Sequence, residues 1–244
     1  MAALAASEIC HPEPGRRIAN PRLRTFEVLK TRLAAKGQLP SQPAAGMVAT
    51  AIPELDRLLD GGFPAGIVAT LEGTTGRWSL AAGLVARMTR RSLVAILDDG
   101  GLYPPDLVEA GVCLERVLVV PARKALAIAR AVDILLRSRI CRLILMPAIA
   151  LRDSVWTRLA KLAHRSGVLL IVMAAQAGTA LGAAAGLRLN CALERIFIDG
   201  KHGLWGAFVG FELCVDVRKH KHMAPGRKTH LRVGCEGMRD AALR

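Results

Sequence analysis

Thr50-Ala51-Ile52-Pro53-Glu54-Leu55-Asp56-Arg57-Leu58-Leu59-Asp60-Gly61-Gly62-Phe63-Pro64-Ala65-Gly66 runs into the apolar stretch ending at Leu71, and then into Glu72-Gly73-Thr74-Thr75-Gly76-Arg77-Trp78-Ser79. A paired-glycine turn, a short apolar strand, a glycine-rich bend and a helix thus follow in close order. In a doubly wound sheet, such a bend is where backbone N–H groups and a helix N-terminus gather around phosphate.

Outward from this stretch the chain alternates. Apolar runs at 66–71, 93–97, 116–120, 143–146 and 168–173 read as strands, and segments at 79–91, 105–110, 124–138 and 154–165 read as helices. Continuously apolar strands alternating with helices predict an α/β fold with a mainly parallel sheet covered on both faces. After Asn190 the pattern becomes strand-rich, at 192–198, 207–217 and 229–233, which predicts antiparallel strands extending the sheet. The organisation expected is a basic N-terminal helix and linker over 1–46, a core over 47–234 and a tail over 235–244. The N-terminal helix spans Pro21 to Lys36, with Leu23, Phe26, Leu29 and Leu33 as its apolar stripe. That stripe needs cover, either from its own core or from another chain.

The phosphate-loop position departs from a working Walker loop, which needs Gly first and ends in Gly-Lys and a hydroxyl residue. Leu71 holds the first position and Gly76 fits. Arg77 replaces the lysine that reaches the β- and γ-phosphates, and Trp78 replaces the hydroxyl that ligates Mg²⁺. Gly73, Thr74, Thr75, Gly76, Arg77, Trp78 and Ser79 are the candidate nucleotide-contacting residues.

The lead-in resembles that of RecA-family proteins, in which a T-G-x-x-x-L-D segment and a G-G-[LF]-P-x-G turn precede the first core strand. The resemblance continues through Val94-Ala95-Ile96-Leu97-Asp98, Gly101-Leu102-Tyr103-Pro104-Pro105 and Glu109-Ala110-Gly111-Val112. These stretches look most like ImuA-type proteins, the RecA-like partners of bacterial translesion synthesis. Divergent short recombinase A homologues look similar too. The match spans roughly residues 47 to 233 and implies a RecA-like P-loop core.

Further departures bear on activity. Where the family has a water-activating Glu, this chain has Asp98-Asp99, either of which could substitute. Leu143-Ile144-Leu145-Met146-Pro147 lacks the acid that ends a Walker B strand. Gln176 matches the family's γ-phosphate-sensing Gln, or is a buried Gln capping backbone groups. The first DNA-contact loop, at 148–156, looks deleted, and the second, at 177–190, is mostly Ala and Gly with only Arg188 charged. The resemblance therefore implies an accessory or adaptor protein of DNA repair, in translesion synthesis or an SOS-type response. It would bind DNA, a repair polymerase subunit or RecA, with weak ATP binding at most and no efficient hydrolysis. A divergent ATP-dependent recombinase is the alternative, and a scaffold unrelated to DNA is the third reading.

Charge leads toward nucleic acid independently. Lys and Arg number 34 against 20 Asp and Glu, a net charge of +14, which attracts polyanions through counterion release. An Arg-favouring genome or an acidic protein partner would also account for it. Arg87, Arg90 and Arg91 close the helix after the phosphate loop, where cations suit the helix C-terminus. Arg218, Lys219 and Lys221, with Arg227 and Lys228, border a hairpin turned by Pro225-Gly226. That hairpin is a DNA-backbone clamp or a solvated loop. No aromatic interleaving points to base stacking.

Six cysteines, Cys10, Cys113, Cys141, Cys191, Cys214 and Cys235, stand far apart without metal-ligand spacing and read as reduced cytosolic thiols. His220 and His222, with no Cys or carboxylate set nearby in sequence, make a poor metal site, so none is expected. No signal peptide is recognised. Residues 168–186 approach a membrane span in length, but Gln176, Gly178, Thr179, Gly182 and Gly186 break the run; a buried strand and a small-residue loop are expected there instead.

Overall fold

The computed structural model describes residues 46–199 and 206–234. The expected N-terminal helix and the 235–244 tail lie outside the described residues, as do Cys10 and Cys235.

The lead-in opens with β1 (Met47–Val48), α1 (Pro53–Leu58) and β2 (Phe63–Pro64). Its sequence signature has a local cause. The Asp56 carboxylate accepts hydrogen bonds from the Thr50 N–H at 2.8 Å, the Thr50 hydroxyl at 2.7 Å and the Ala51 N–H at 3.1 Å. Three donors on one carboxylate lock the turn that starts α1. The paired glycines then bring the chain back so that β2 pairs antiparallel with β1. Gly62, at φ 119°, passes so close to the Val48 carbonyl that a Cβ would overlap it.

The core follows as β3 (Val68–Glu72), α2 (Arg77–Thr89), β4 (Val94–Asp98), α3 (Pro104–Glu109) and β5 (Val117–Pro121). It continues through α4 (Ala125–Ser138), β6 (Leu143–Pro147), α5 (Asp153–Ser166), β7 (Leu169–Met173) and α6 (Thr179–Ala184). Three longer strands close it: β8 (Leu187–Asp199), β9 (Ala207–His220) and β10 (Lys228–Gly234). The eight-stranded sheet has the order β10-β9-β8-β3-β7-β6-β4-β5. It is parallel from β8 to β5 and antiparallel from β8 out to β10, as the sequence predicts.

Alternation along the strands feeds two cores. In β3, Ala69 and Leu71 join Leu80, Leu84 and Val85 of α2 on one face, while Val68 joins the core on the other. That second core takes Ile128, Val132 and Leu136 of α4 and the fully buried Trp156 of α5. Both faces are sealed, which is why β3 and β7 are buried throughout and read as continuous apolar runs.

The 177–190 region is not simply the small-residue loop expected. It contains α6, and β8 starts at Leu187 rather than at 192. Leu187, Leu189 and Cys191 are buried beside β3, while the polar Arg188 and Asn190 between them disguise the strand. No helix among the described residues is long and apolar enough to cross a membrane.

Candidate functional site

The phosphate-loop position lies at the carboxyl end of β3, between β7 and β8. The Gly73 N–H donates to the Ala175 carbonyl at 3.0 Å. Gly73, at φ 114°, lies against the Cys191 carbonyl of β8, and Gly76, at φ 78°, lies against the Leu213 side chain of β9. Thr75 Oγ1 accepts a hydrogen bond from the Leu193 N–H at 3.3 Å, and Thr74 is exposed. The loop is thus strapped to the strands beside it.

Arg77 completes the closure. Its guanidinium turns back and donates to the Gly73 carbonyl of its own loop, while its buried Nε has no partner among the described residues. The guanidinium is therefore held against the carbonyl of its own loop. Trp78, 45% exposed, points away and helps line a cavity of about 390 Å³ with Ser79, Tyr103, Asp106 and Phe211. Of the other positions that the resemblance pointed to, Asp98 is also engaged locally and Met146 offers no acid. Asp98 Oδ1 accepts from the Gly100 and Leu102 N–H groups at 2.9 and 3.0 Å, so it shapes its own turn. Asp99 is exposed, and Met146 is buried at the end of β6.

Gln176 is exposed, which removes the reading of it as a buried backbone cap. It borders a polar cavity of about 560 Å³ shared with Glu72, Ala175, Arg188, Asn190 and Arg218. Inside it lies the pair that sequence reasoning missed. Arg188 Nε and a terminal guanidinium nitrogen donate to the two Glu72 carboxylate oxygens at 2.7 and 2.8 Å. The Thr70 hydroxyl and the Ala177 N–H donate to the same carboxylate at 2.7 and 3.2 Å. Burial works to raise the Glu72 pKa, but the bonds from Arg188, Thr70 and Ala177 outweigh it and hold it below its ordinary value. The signal was an acid ending an apolar strand and one charge in an Ala/Gly stretch; nothing local connected them.

The basic residues gather elsewhere. In register, the β9–β10 turn lies at the amino end of β3 and β8, opposite the phosphate-loop edge. Since α2 runs back from its loop, Arg87, Arg90 and Arg91 finish at this same edge. The lead-in helix α1 joins the two groups. Arg227 pairs with Asp60 at 3.0 Å and donates to the Arg57 carbonyl at 3.2 Å, while Arg87 Nε donates to the Ala51 carbonyl at 2.8 Å. Several of the expected clamp cations are thereby engaged internally. Arg218 pairs with Asp216 at 3.2 Å, and the Lys219 ammonium donates to the Gly182 and Ala183 carbonyls at 2.9 and 3.1 Å, at the end of α6. Arg90, Arg91, Lys221 and Lys228 are exposed.

The crystal structure of the RadB recombinase matches this chain with a TM-score of 0.62 at 18% identity, covering 80% of this chain and 100% of that one. The fold is RecA-like. At that identity the likeness extends to architecture alone. No family model and no curated protein matches the sequence. Within this fold, the strand-to-helix bend at 73–76 follows β3, and the chain's own Arg77 donates to its Gly73 carbonyl.

Proposed function

We propose that this chain is a RecA-like accessory protein of bacterial DNA repair, acting in translesion synthesis or an SOS-type response. It binds the DNA backbone, a repair protein such as a polymerase subunit or RecA, or both, and does not hydrolyse ATP efficiently. The observation that carries this reading is Arg77 turned onto the Gly73 carbonyl. Phosphoryl transfer depends on a cation and Mg²⁺ set against the phosphates. Here the cation is engaged within the loop, an indole stands where the metal's hydroxyl ligand belongs, and β6 ends without an acid. Nucleotide binding through Gly73, Gly76 and the α2 N-terminus is weak in this reading, because a phosphate must first displace Arg77. DNA contact rests on the net charge and on the basic edge around α1, where Arg90, Arg91, Lys221 and Lys228 face solvent.

The test is phosphate release by the purified chain with and without single-stranded DNA, beside DNA binding measured over a salt series. Background release and binding that falls steeply with salt are expected. DNA-stimulated release that disappears in Arg77→Ala would instead establish the ATP-dependent recombinase reading. Absence of salt-sensitive DNA binding would favour a scaffold unrelated to DNA. Co-purification with a repair polymerase subunit or RecA, lost on removing residues 1–40, would place the partner surface on the N-terminal segment.

A further inference from the structure

Glu194 of β8, Cys214 of β9 and His230 of β10 are remote in sequence but meet on the antiparallel extension of the sheet. Register brings them together. Cys214 lies directly opposite Ala192 on one side and His230 on the other. Leu213, Val215 and Leu231 turn into the core, so alternation places Cys214 and His230 together on the opposite face. The β8–β9 register slips between Leu193 and Arg195, leaving Glu194 as the extra residue of a β-bulge. Bulges of this kind re-aim a side chain. The Glu194 carboxylate reaches across β9 to His230, with Oε2 and Nε2 2.7 Å apart. The short Cys214 side chain between them allows that approach.

We propose that Glu194, Cys214 and His230 form a three-ligand site for a divalent, thiophilic metal ion, with Zn²⁺ as the ion best suited. Thiolate, imidazole and carboxylate are the donors Zn²⁺ takes, and three protein ligands with one open position form a known coordination pattern. The three donor atoms all lie within 4.8 Å of one another. A tetrahedral ion at about 2.0–2.3 Å from each donor needs donor separations of roughly 3.3–3.8 Å, within reach of side-chain rotation. The neighbouring carboxylates do not compete: Glu212 faces Arg232 at 3.7 Å and Asp216 pairs with Arg218 at 3.2 Å. Glu194 and His230 are each half exposed, which leaves the fourth position open to water or to a donor from a partner. A bound ion ties the outer strand β10 to β8 across β9. An ion pair between Glu194 and His230 alone would not involve the thiol, and this separates the two accounts.

The full-length chain, free of tags and with its thiols reduced, is titrated with Co²⁺ and then Zn²⁺ against a chromophoric chelator. A thiolate-to-Co²⁺ charge-transfer band in the near ultraviolet, displaced by Zn²⁺, is expected. Cys214→Ser should abolish the band, and His230→Ala should weaken Zn²⁺ binding at least about tenfold. A Cys10→Ser, Cys113→Ser, Cys235→Ser variant should keep both band and affinity. If Cys214→Ser perturbs folding, Glu194→Gln supplies the second arm, with Zn²⁺ affinity reduced at least about tenfold and the band retained. No band in the parent chain, a band surviving Cys214→Ser, or unchanged affinity in Glu194→Gln overturns the site.

Discussion

Arg188 grips Glu72 with two nitrogens, at 2.7 and 2.8 Å, across 116 positions of sequence. The pair stands at the end of β3 and fastens β8 to it. Both groups are removed from bulk water, Glu72 almost wholly and Arg188 with 27% of its side chain exposed. Removing one partner therefore strands the other.

Arg188→Met is expected to destabilise the fold by about 3 kcal/mol, read from urea unfolding, because it leaves the buried carboxylate without its countercharge. A loss under about 1 kcal/mol, the size typical of an exposed pair, would show that solvent already compensates Glu72.

The same pair sets an acid limb. Glu72 has a folded pKa below its ordinary value of 4.5, so its contribution is fully present above pH 4.5 and is lost as pH falls through the folded value. Stability should decline on acidification below about pH 4.5 in the parent chain. In Glu72→Gln this component is missing, so the curve should be flatter there. Superimposable acid limbs would refute it.

Two loop glycines should respond unequally to alanine. Gly73 and Gly76 both have positive φ, at 114° and 78°. At Gly73 a Cβ meets the Cys191 carbonyl, which cannot move without breaking into β8; at Gly76 it meets the end of the flexible Leu213 side chain. Gly73→Ala is expected to cost at least about 2 kcal/mol and Gly76→Ala about 1 kcal/mol, compared by thermal and urea unfolding. The reverse order would contradict the packing.

The basic edge should separate binding from folding. Lys221→Glu with Lys228→Glu is expected to weaken DNA binding with little effect on Tm, and to flatten the salt slope by about 0.7–0.9 for each phosphate that is no longer neutralised. Arg227→Glu should lower Tm as well, since it sets a carboxylate against Asp60. Unchanged affinity in the double variant would remove the hairpin from the DNA surface.

Thiol chemistry gives an independent check on the core. Burial pushes Cys141 and Cys191 up to about 12, so at pH 8 neither holds appreciable thiolate. Iodoacetamide followed by peptide mass spectrometry should leave both unlabelled in the native chain and label both after unfolding. Native labelling of Cys191 would mean that β8 opens locally beside the phosphate-loop position.

Much of this molecule was decided by short-range pattern. Continuous apolar runs with helical segments between them can bury both faces only in a covered parallel sheet, so β3, β4, β6 and β7 were legible with their helices. Residues 50–66 announced the lead-in because Asp56, Gly61 and Gly62 act within a few positions of one another. The mismatch of Leu71, Arg77, Trp78 and Met146 to the expected Walker pattern was equally plain, since a motif is a local string. Tertiary structure decided what those residues do. Only in three dimensions does Arg77 turn onto Gly73, Arg188 find Glu72, and Arg227 meet Asp60. Only strand register and a bulge place Glu194, Cys214 and His230 together, where the cysteine spacings and the His220/His222 pair had given no reason to expect a metal. The physical reason is common to all of these. Local sequence sets which backbone conformation a segment prefers, whereas a buried charge or an open donor set is satisfied by whatever the sheet order brings alongside, and that order is fixed only when the core closes.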